Sequence, residues 1–463
     1  MGRWIAGGVT RRATRGIGAR IRALFTEGTL ERPADVAPLP ASSWSPSHGF
    51  RINGSKTAEQ HPAGPAKYID TRCMHGLWAA SPAMRALEDA PLNVRSFSEL
   101  SSAGAVRSVC HAKVPGWSSL PIQEIQVDQL CEGLSNQNFK VHVNIPNVTV
   151  SCVLFRAYGK DAKTLYDTDL ELRTVQMLSK YQVAPRIYAS GDGWRIEEWH
   201  FSVPLPNRSM RNPAIFAQVA AHFGRLHKLS SRDDFPRDFL TMPTLSSQRL
   251  SSWGDACRRA AERTPDMKQA LAQSELDIEE IVAEREWLKT FLDEDAGGSH
   301  GAGLDKVFCH WDGQENNILQ THYGLRFIDF EYSGMEHQAF DIAHYFVECM
   351  IDYLHDAHPF YRLQPSSFPA DWEQRLFCSI YLSEYLERSV RPDDAIVAEL
   401  LGRVQRFVLV NHLLWTFWSV VRADQAPTFG GFDFVHYAQS RWYLYKWAKR
   451  GLLSEPRAPL PER

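Results

Sequence analysis

Four side chains in the run VFCHWDGQENNILQTHYGLRFIDFEY, residues 307–332, have the types and spacing that transfer of the terminal phosphoryl group of ATP requires: His310, Asp312, Asn317 and Asp329. Asp312 stands where a carboxylate can accept the proton of an attacking hydroxyl and hold that hydroxyl in line with the γ-phosphorus. Asn317 follows one loop turn later with an amide oxygen suited to magnesium. Asp329 ends the apolar run LRFID, which reads as a buried strand presenting the carboxylate at its end. Two hard oxygen ligands, completed by nucleotide phosphates, are what Mg2+ usually takes from a protein. His310 reads either as part of the chemistry or as a histidine that orders the loop. Any one of the four alone would pass for an ordinary residue of a surface hairpin. Together, in this order and bracketed by VFC, NIL and LRFI, they point to a phosphotransfer loop.

The chain can house such a loop in a large core. It has 463 residues, of which 44% are hydrophobic and 23% charged, enough for two lobes. A net charge of -3 supplies no general basic field for nucleic acid or an anionic membrane. The eight cysteines form no Cys-x-x-Cys pair and no zinc-type spacing, which fits a reducing compartment. The most apolar long run, FVLVNHLLWTFWSVV at 407–421, carries Asn411 and His412 and is too short to span a bilayer, so it reads as a buried helix. Residues 1–28 form a basic, presequence-like segment, with six arginines and no acid in the first 26. It reads equally as an organelle address or a solvated tail. Residues 29–90, rich in Pro, Ser, Ala and Gly, read as an irregular extension.

The elements that must position the loop follow from hydrophobic period. Between 123 and 158 the β-prone runs IQEIQVDQL, NFKVHVNI and VTVSCVLFRAY alternate with turns, and RIYAS and WRIEEW add further strands. A helix is predicted over 165–180, and helices dominate after Pro206, including AIFAQVAAHFGRLHKL and SELDIEEIVAEREWLKTFLDE. The class is therefore α+β, with a nucleotide-binding lobe over 91–200 and a catalytic and acceptor-binding lobe over 201–463. The turn CEGLSNQNFKV, with Gly133, Ser135 and Asn136, can fold over phosphates or be a plain hairpin turn. Arg156, flanked by apolar residues in the strand VLFRAY, would project into the cleft and bind phosphate oxygens with its planar fork. Glu171 on the next helix is the carboxylate expected to hold it. Glu197, Glu198 and Trp199 would lie at the connector beside the adenine.

Asp329 is followed by Phe330 and Glu331 rather than Phe-Gly, and neither an Ala-Pro-Glu segment nor a Gly-x-Gly-x-x-Gly loop occurs, so a small-molecule acceptor is expected rather than a protein. From about residue 95 to 450 the chain resembles the choline/ethanolamine kinase family. HWDGQENNIL resembles that family's His-Asn-Asp-x-Gln-Glu-Gly-Asn-Ile-Leu loop, and IDFEYSGMEHQAFDIAHYFVE its Ile-Asp-Phe-Glu-Tyr segment and following helix. HLLWTFWSVVRA resembles its Leu-Trp-x-x-Trp-Ser helix, and FVHYAQSRW its closing Tyr-Ala-x-x-Arg helix. The resemblance implies a protein-kinase-like two-lobe fold, ATP and Mg2+ as cofactors, an amino-alcohol substrate, frequent homodimers and a cytosolic place at the head of phospholipid synthesis. It also implies that Trp415 and Trp418, which their spacing puts on one helix face, line an aromatic cage with Tyr353 and Tyr437. Glu348 would be the matching carboxylate, and Gln314 would lie beside the acceptor hydroxyl. Departures are Trp311 for a loop Asn, Asn316 for a Gly, His344 for a helix Asn, and Cys349 where choline-type members often carry a Trp that would wall the cage. The expected reaction is phosphorylation of choline, with ethanolamine as a second acceptor. The alternatives are an ethanolamine-preferring enzyme, an aminoglycoside-type phosphotransferase and a non-catalytic pseudokinase.

Overall fold

The computed structural model describes residues 102–130, 136–158, 167–296, 306–425, 428–429 and 431–453, all within one compact unit spanning 93–463. The segment 1–28, the extension 29–90, and Gly133 and Ser135 of the phosphate turn lie outside the described residues, as does the side chain of Asn136.

Helix α1 (Ala103–Lys113) precedes an antiparallel sheet of β1 (Ile125–Leu130), β2 (Asn136–Val143), β3 (Cys152–Tyr158), β4 (Ile187–Gly191) and β5 (Trp194–Glu198), ordered β1-β2-β3-β5-β4. The two-residue period of a strand sorts its side chains. Phe139, Val141, Val153, Phe155, Trp194 and Ile196 enter a core that includes Val106 and Cys110 of α1. The alternate positions Asn138, Leu154, Arg156, Arg195 and Glu197 face a cleft instead. Helix α2 (Thr168–Lys180) starts at Asp167, whose carboxylate accepts from the backbone N–H groups of Asp169 and Leu170, and it buries Glu171, Val175 and Leu178. Asn147 at φ 64° turns the chain before the apolar run, and regular pairing in β3 begins four residues into that run, at Cys152.

After the connector, β6 (Ser202–Pro204) joins the hairpin of β8 (Ile318–Thr321) and β9 (Gly324–Phe327), while β7 (Lys306–Cys309) pairs with β10 (Gly334–His337). The longer helices of the larger lobe are α3 (Pro213–Lys228), α4 (Leu245–Arg263), α5 (Ile278–Ala296), α6 (Ala339–Glu348), α7 (Asp371–Tyr385), α8 (Ala395–Gln425) and α9 (Phe434–Leu453). Asp277 accepts from Glu279 N and Glu280 N and so sets the start of α5 later than the hydrophobic stripe does. Helix α8 is central, with α4, α6 and α9 packed on it, and every residue from Phe407 to Ala423 is buried. Among the described residues no helix is long and apolar enough to cross a membrane. The architecture is the expected α+β arrangement of a small sheet lobe and a larger helical lobe.

Candidate active site

The loop that carries Asp312 runs from β7 to β8 and is held from beneath. Asp341, near the start of α6, accepts from His310 N at 2.7 Å and Trp311 N at 2.8 Å, and His227 Nε2 lies 3.0 Å from it. Burial would raise the Asp341 pKa, but the hydrogen bond and charge of His227, with His310, hold it below the usual carboxylate range. Cys309 Sγ lies near this pair, yet both Asp341 oxygens serve main-chain donors and His227 Nδ1 meets Tyr381 Oη at 2.9 Å. The trio therefore braces the loop rather than offering metal ligands. Trp311 takes φ 76°, with its ring stacked 4.0 Å from Phe340 and the Arg249 guanidinium 4.1 Å from its centre.

His310 is fully buried and does not line the cleft. Its Nδ1 accepts from Asp312 N at 3.2 Å, so the proton sits on Nε2, which donates to Ile328 O at 3.1 Å. Burial lowers its pKa against the pull of Asp341 and Asp312, keeping the ring neutral. Of the two readings of His310, the chemical one is corrected in favour of the ordering one: both nitrogens are spent on tying the Asp312 loop to the segment that carries Asp329. Asp312, Gln314, Asn317 and Asp329 do line the cleft. Asn317 Nδ2 donates to Asp312 Oδ2 at 2.9 Å and to Asp312 O at 2.9 Å, which leaves its amide oxygen as the atom to offer a cation. Asp329 sits at φ 66° just beyond β9. Gln314 Oε1 accepts from Asn316 N at 3.1 Å, leaving its amide N–H groups for a ligand. The oxygen donors Asn317 and Asp329 thus suit a hard divalent cation.

At the sheet end, Arg156 projects into the cleft but is not held by Glu171. Arg156 Nε donates to Glu197 at 3.2 Å and Nη1 to Asp329 at 3.3 Å, while Glu171 takes Arg195 Nη1 at 2.6 Å. The expected pair is corrected for a geometric reason: Arg195 stands directly across from Arg156 in the β3–β5 register and reaches Glu171 first. Burial would raise the Glu197 pKa, yet Arg195 and Arg156 hold it below the ordinary range. Glu198 is half-buried on the cleft wall, its carboxylate accepting from Arg186 N at 3.2 Å. Leu130, Leu154, Val175, Leu319 and Ile328 give this end an apolar lining suited to a flat base. Asn136 opens β2, opposite Tyr158.

The same cleft, of about 820 Å³, continues to the aromatic residues. Trp415 and Trp418 lie edge to face, 5.2 Å between ring centres, and Trp418 Nε1 donates to Tyr332 Oη at 2.9 Å. Tyr353 and Tyr437 bring their hydroxyls within 2.5 Å of each other, and Tyr353 Oη donates to Glu348 at 2.9 Å. Glu348 lines the cleft as expected, and Arg441 from α9 pairs with its other oxygen. The acids that face this end beside it are Asp312 and Glu331. Burial, reinforced by the neighbouring Asp329 carboxylate, pushes Glu331 well above the usual range. Cys349 is buried and does not line the cleft, so it supplies no wall to the aromatic end. Sequence reasoning missed Glu315, which is buried in the loop and accepts from Tyr353 N at 2.7 Å, joining the catalytic loop to the cage. Its only signal was an acid inside an otherwise polar, uncharged run.

Residues 127–446 match the family model described as choline/ethanolamine kinase. The chain is 28% identical over 354 residues to a rat choline/ethanolamine kinase, covering 73% of this chain and 84% of the relative, and 27% identical over 350 residues to a mouse ethanolamine kinase 2, covering 74% and 80%. The crystal structure of a choline kinase from Cryptosporidium parvum Iowa II is similar at TM-score 0.65 and 30% identity, covering 76% of this chain and 98% of that one. The chain belongs to the choline/ethanolamine kinase family and is a phosphotransferase with an alcohol group as acceptor.

Proposed function

We propose that the protein transfers the γ-phosphoryl group of ATP, with Mg2+, to the hydroxyl of choline, with ethanolamine as a second acceptor, giving phosphocholine or phosphoethanolamine for phospholipid synthesis. The observation that carries this reading is that Asp312 and the Trp415–Trp418 pair line one cleft. A quaternary ammonium cannot donate a hydrogen bond and is held by aromatic faces, with nearby carboxylates to offset its charge. Leaving aside Glu331, which burial pushes well above the usual range, five carboxylates line the cleft against three guanidinium groups, a balance that favours cationic ligands.

In this reading the sheet lobe, 91–200, holds the nucleotide and the lobe 201–463 holds the acceptor. Arg156 takes phosphate oxygens, and the apolar lining takes the base. Asn317 and Asp329 would hold Mg2+, which when bound neutralises charge on the phosphates. Asp312, its Oδ2 fixed by Asn317, orients the acceptor hydroxyl and receives its proton, so catalysis comes chiefly from alignment and charge stabilisation. The test is ADP release by purified protein with choline, ethanolamine and an aminosugar, beside Asp312→Ala. Choline is expected to give the highest kcat/KM, and the variant to lose turnover while still binding ATP. Equal turnover in the variant ends the assignment; a preference for ethanolamine or the aminosugar replaces choline with that acceptor.

A further inference from the structure

We propose that His344 contacts the acceptor: its Nε2–H holds the oxygen of the acceptor hydroxyl beside Asp312. The inference rests on the reading of the cleft as an amino-alcohol site. His344 lies on α6, 1% exposed, and lines the cleft between Asp312 and the cage. Its ring is fixed on several sides: it stacks on Phe340 at 6.3 Å and 6°, lies 5.8 Å from the Trp415 ring, and accepts at Nδ1 from Asn411 Nδ2 at 2.8 Å. With Nδ1 an acceptor, the ring N–H lies at Nε2. That atom is buried, has no hydrogen-bond partner, and lies 3.4 Å from Asp312 Oδ1. A buried donor without an acceptor costs stability, so its retention at this point of the cleft argues for a ligand atom that satisfies it.

The hydroxyl of an amino alcohol supplies that atom. Asn317 occupies Asp312 Oδ2, which leaves Oδ1 to receive the hydroxyl proton. A hydroxyl has one hydrogen and two lone pairs. The hydrogen goes to Asp312 Oδ1, one lone pair accepts from His344 Nε2–H, and the second faces phosphorus. On transfer, the bond from the acceptor oxygen to the γ-phosphorus forms, the bond from that phosphorus to the bridging oxygen breaks to leave ADP, and the hydroxyl proton passes to Asp312. His344 keeps its proton throughout and acts by fixing the oxygen in line, which matters most where the transition state has little nucleophilic bonding. The family's Asn at this position is shorter, so the imidazole donor is a feature of this chain.

The experiment compares wild type, His344→Leu and His344→Gln in the full chain, measuring kcat and KM for choline and ethanolamine, KM for ATP, ADP affinity by calorimetry and the thermal midpoint. His344→Leu is expected to lower kcat/KM for both amino alcohols by about tenfold or more while ATP KM and ADP affinity stay as in wild type. His344→Gln, which keeps an N–H donor of similar reach, is expected to recover most of the loss. Acceptor kcat/KM unchanged in His344→Leu, or equal losses in acceptor and nucleotide parameters in both variants, overturns the inference alone. A wild type that releases no ADP with either amino alcohol overturns the functional reading, and the inference with it.

Discussion

The pairing of Glu171 with Arg195 rather than Arg156 can be measured by comparing two double-mutant cycles. The first combines Glu171→Gln with Arg195→Met, the second Glu171→Gln with Arg156→Met. Glu171 and Arg195 side chains are 0% and 1% exposed and lie 2.6 Å apart, whereas Arg156 makes its two ion pairs at 3.2 and 3.3 Å, with Glu197 and Asp329. Removing one member of so buried a pair leaves the other uncompensated and costs about 3–5 kcal/mol, so Arg195→Met should lose that much stability in urea unfolding. Part of this loss disappears when Glu171 is also neutralised, so the first cycle should give a coupling of about 2 kcal/mol. The second should give well under half of that. Arg156→Met should appear mainly as a raised KM for ATP, because Arg195 still holds Glu197 at 3.3 Å. A coupling of Glu171 to Arg156 equal to or larger than that to Arg195 would refute the assignment.

Two further outcomes follow from the loop. Burial pushes Glu315 from 4.5 up to about 8, a hydrogen bond from Tyr353 opposing and the Asp352 and Glu348 carboxylates adding. The native state therefore binds more protons than the unfolded chain between those values; the stability gained is complete below about 4.5 and is lost as pH rises through about 8. Glu315→Gln should flatten the fall in stability across that window, and an unchanged slope in urea unfolding against pH contradicts the proposed burial. Trp311→Ala removes a fully buried ring stacked on Phe340 and Arg249 and should cost about 3–5 kcal/mol. Trp311→Asn, which suits the left-handed backbone but lacks the ring, should lose most of the same stability; a thermal midpoint equal to wild type would mean that backbone conformation, not stacking, holds the loop.

What was legible in the sequence was whatever short-range order governs. The spacing from Asp312 to Asn317 to Asp329 survives folding because a single loop and hairpin carry all three, and Trp415 and Trp418 share a face because three residues on a helix always do. The partners of buried charges were hidden because they are decided by sheet order. Reading Glu171 against Arg156 considered one arginine, but the placement of β5 between β3 and β4 sets a second, Arg195, directly opposite the first. Likewise the sequence names no partner for Glu348, and α9 brings Arg441 to it from 93 positions away. A residue's sequence match therefore gives its place along an element, whereas its charge partner depends on which other elements the core packs beside it. Of the acids at the acceptor end, the one whose paired state the sequence could least foresee, Glu348, is the one that the Arg441 pair makes least available to a bound cation.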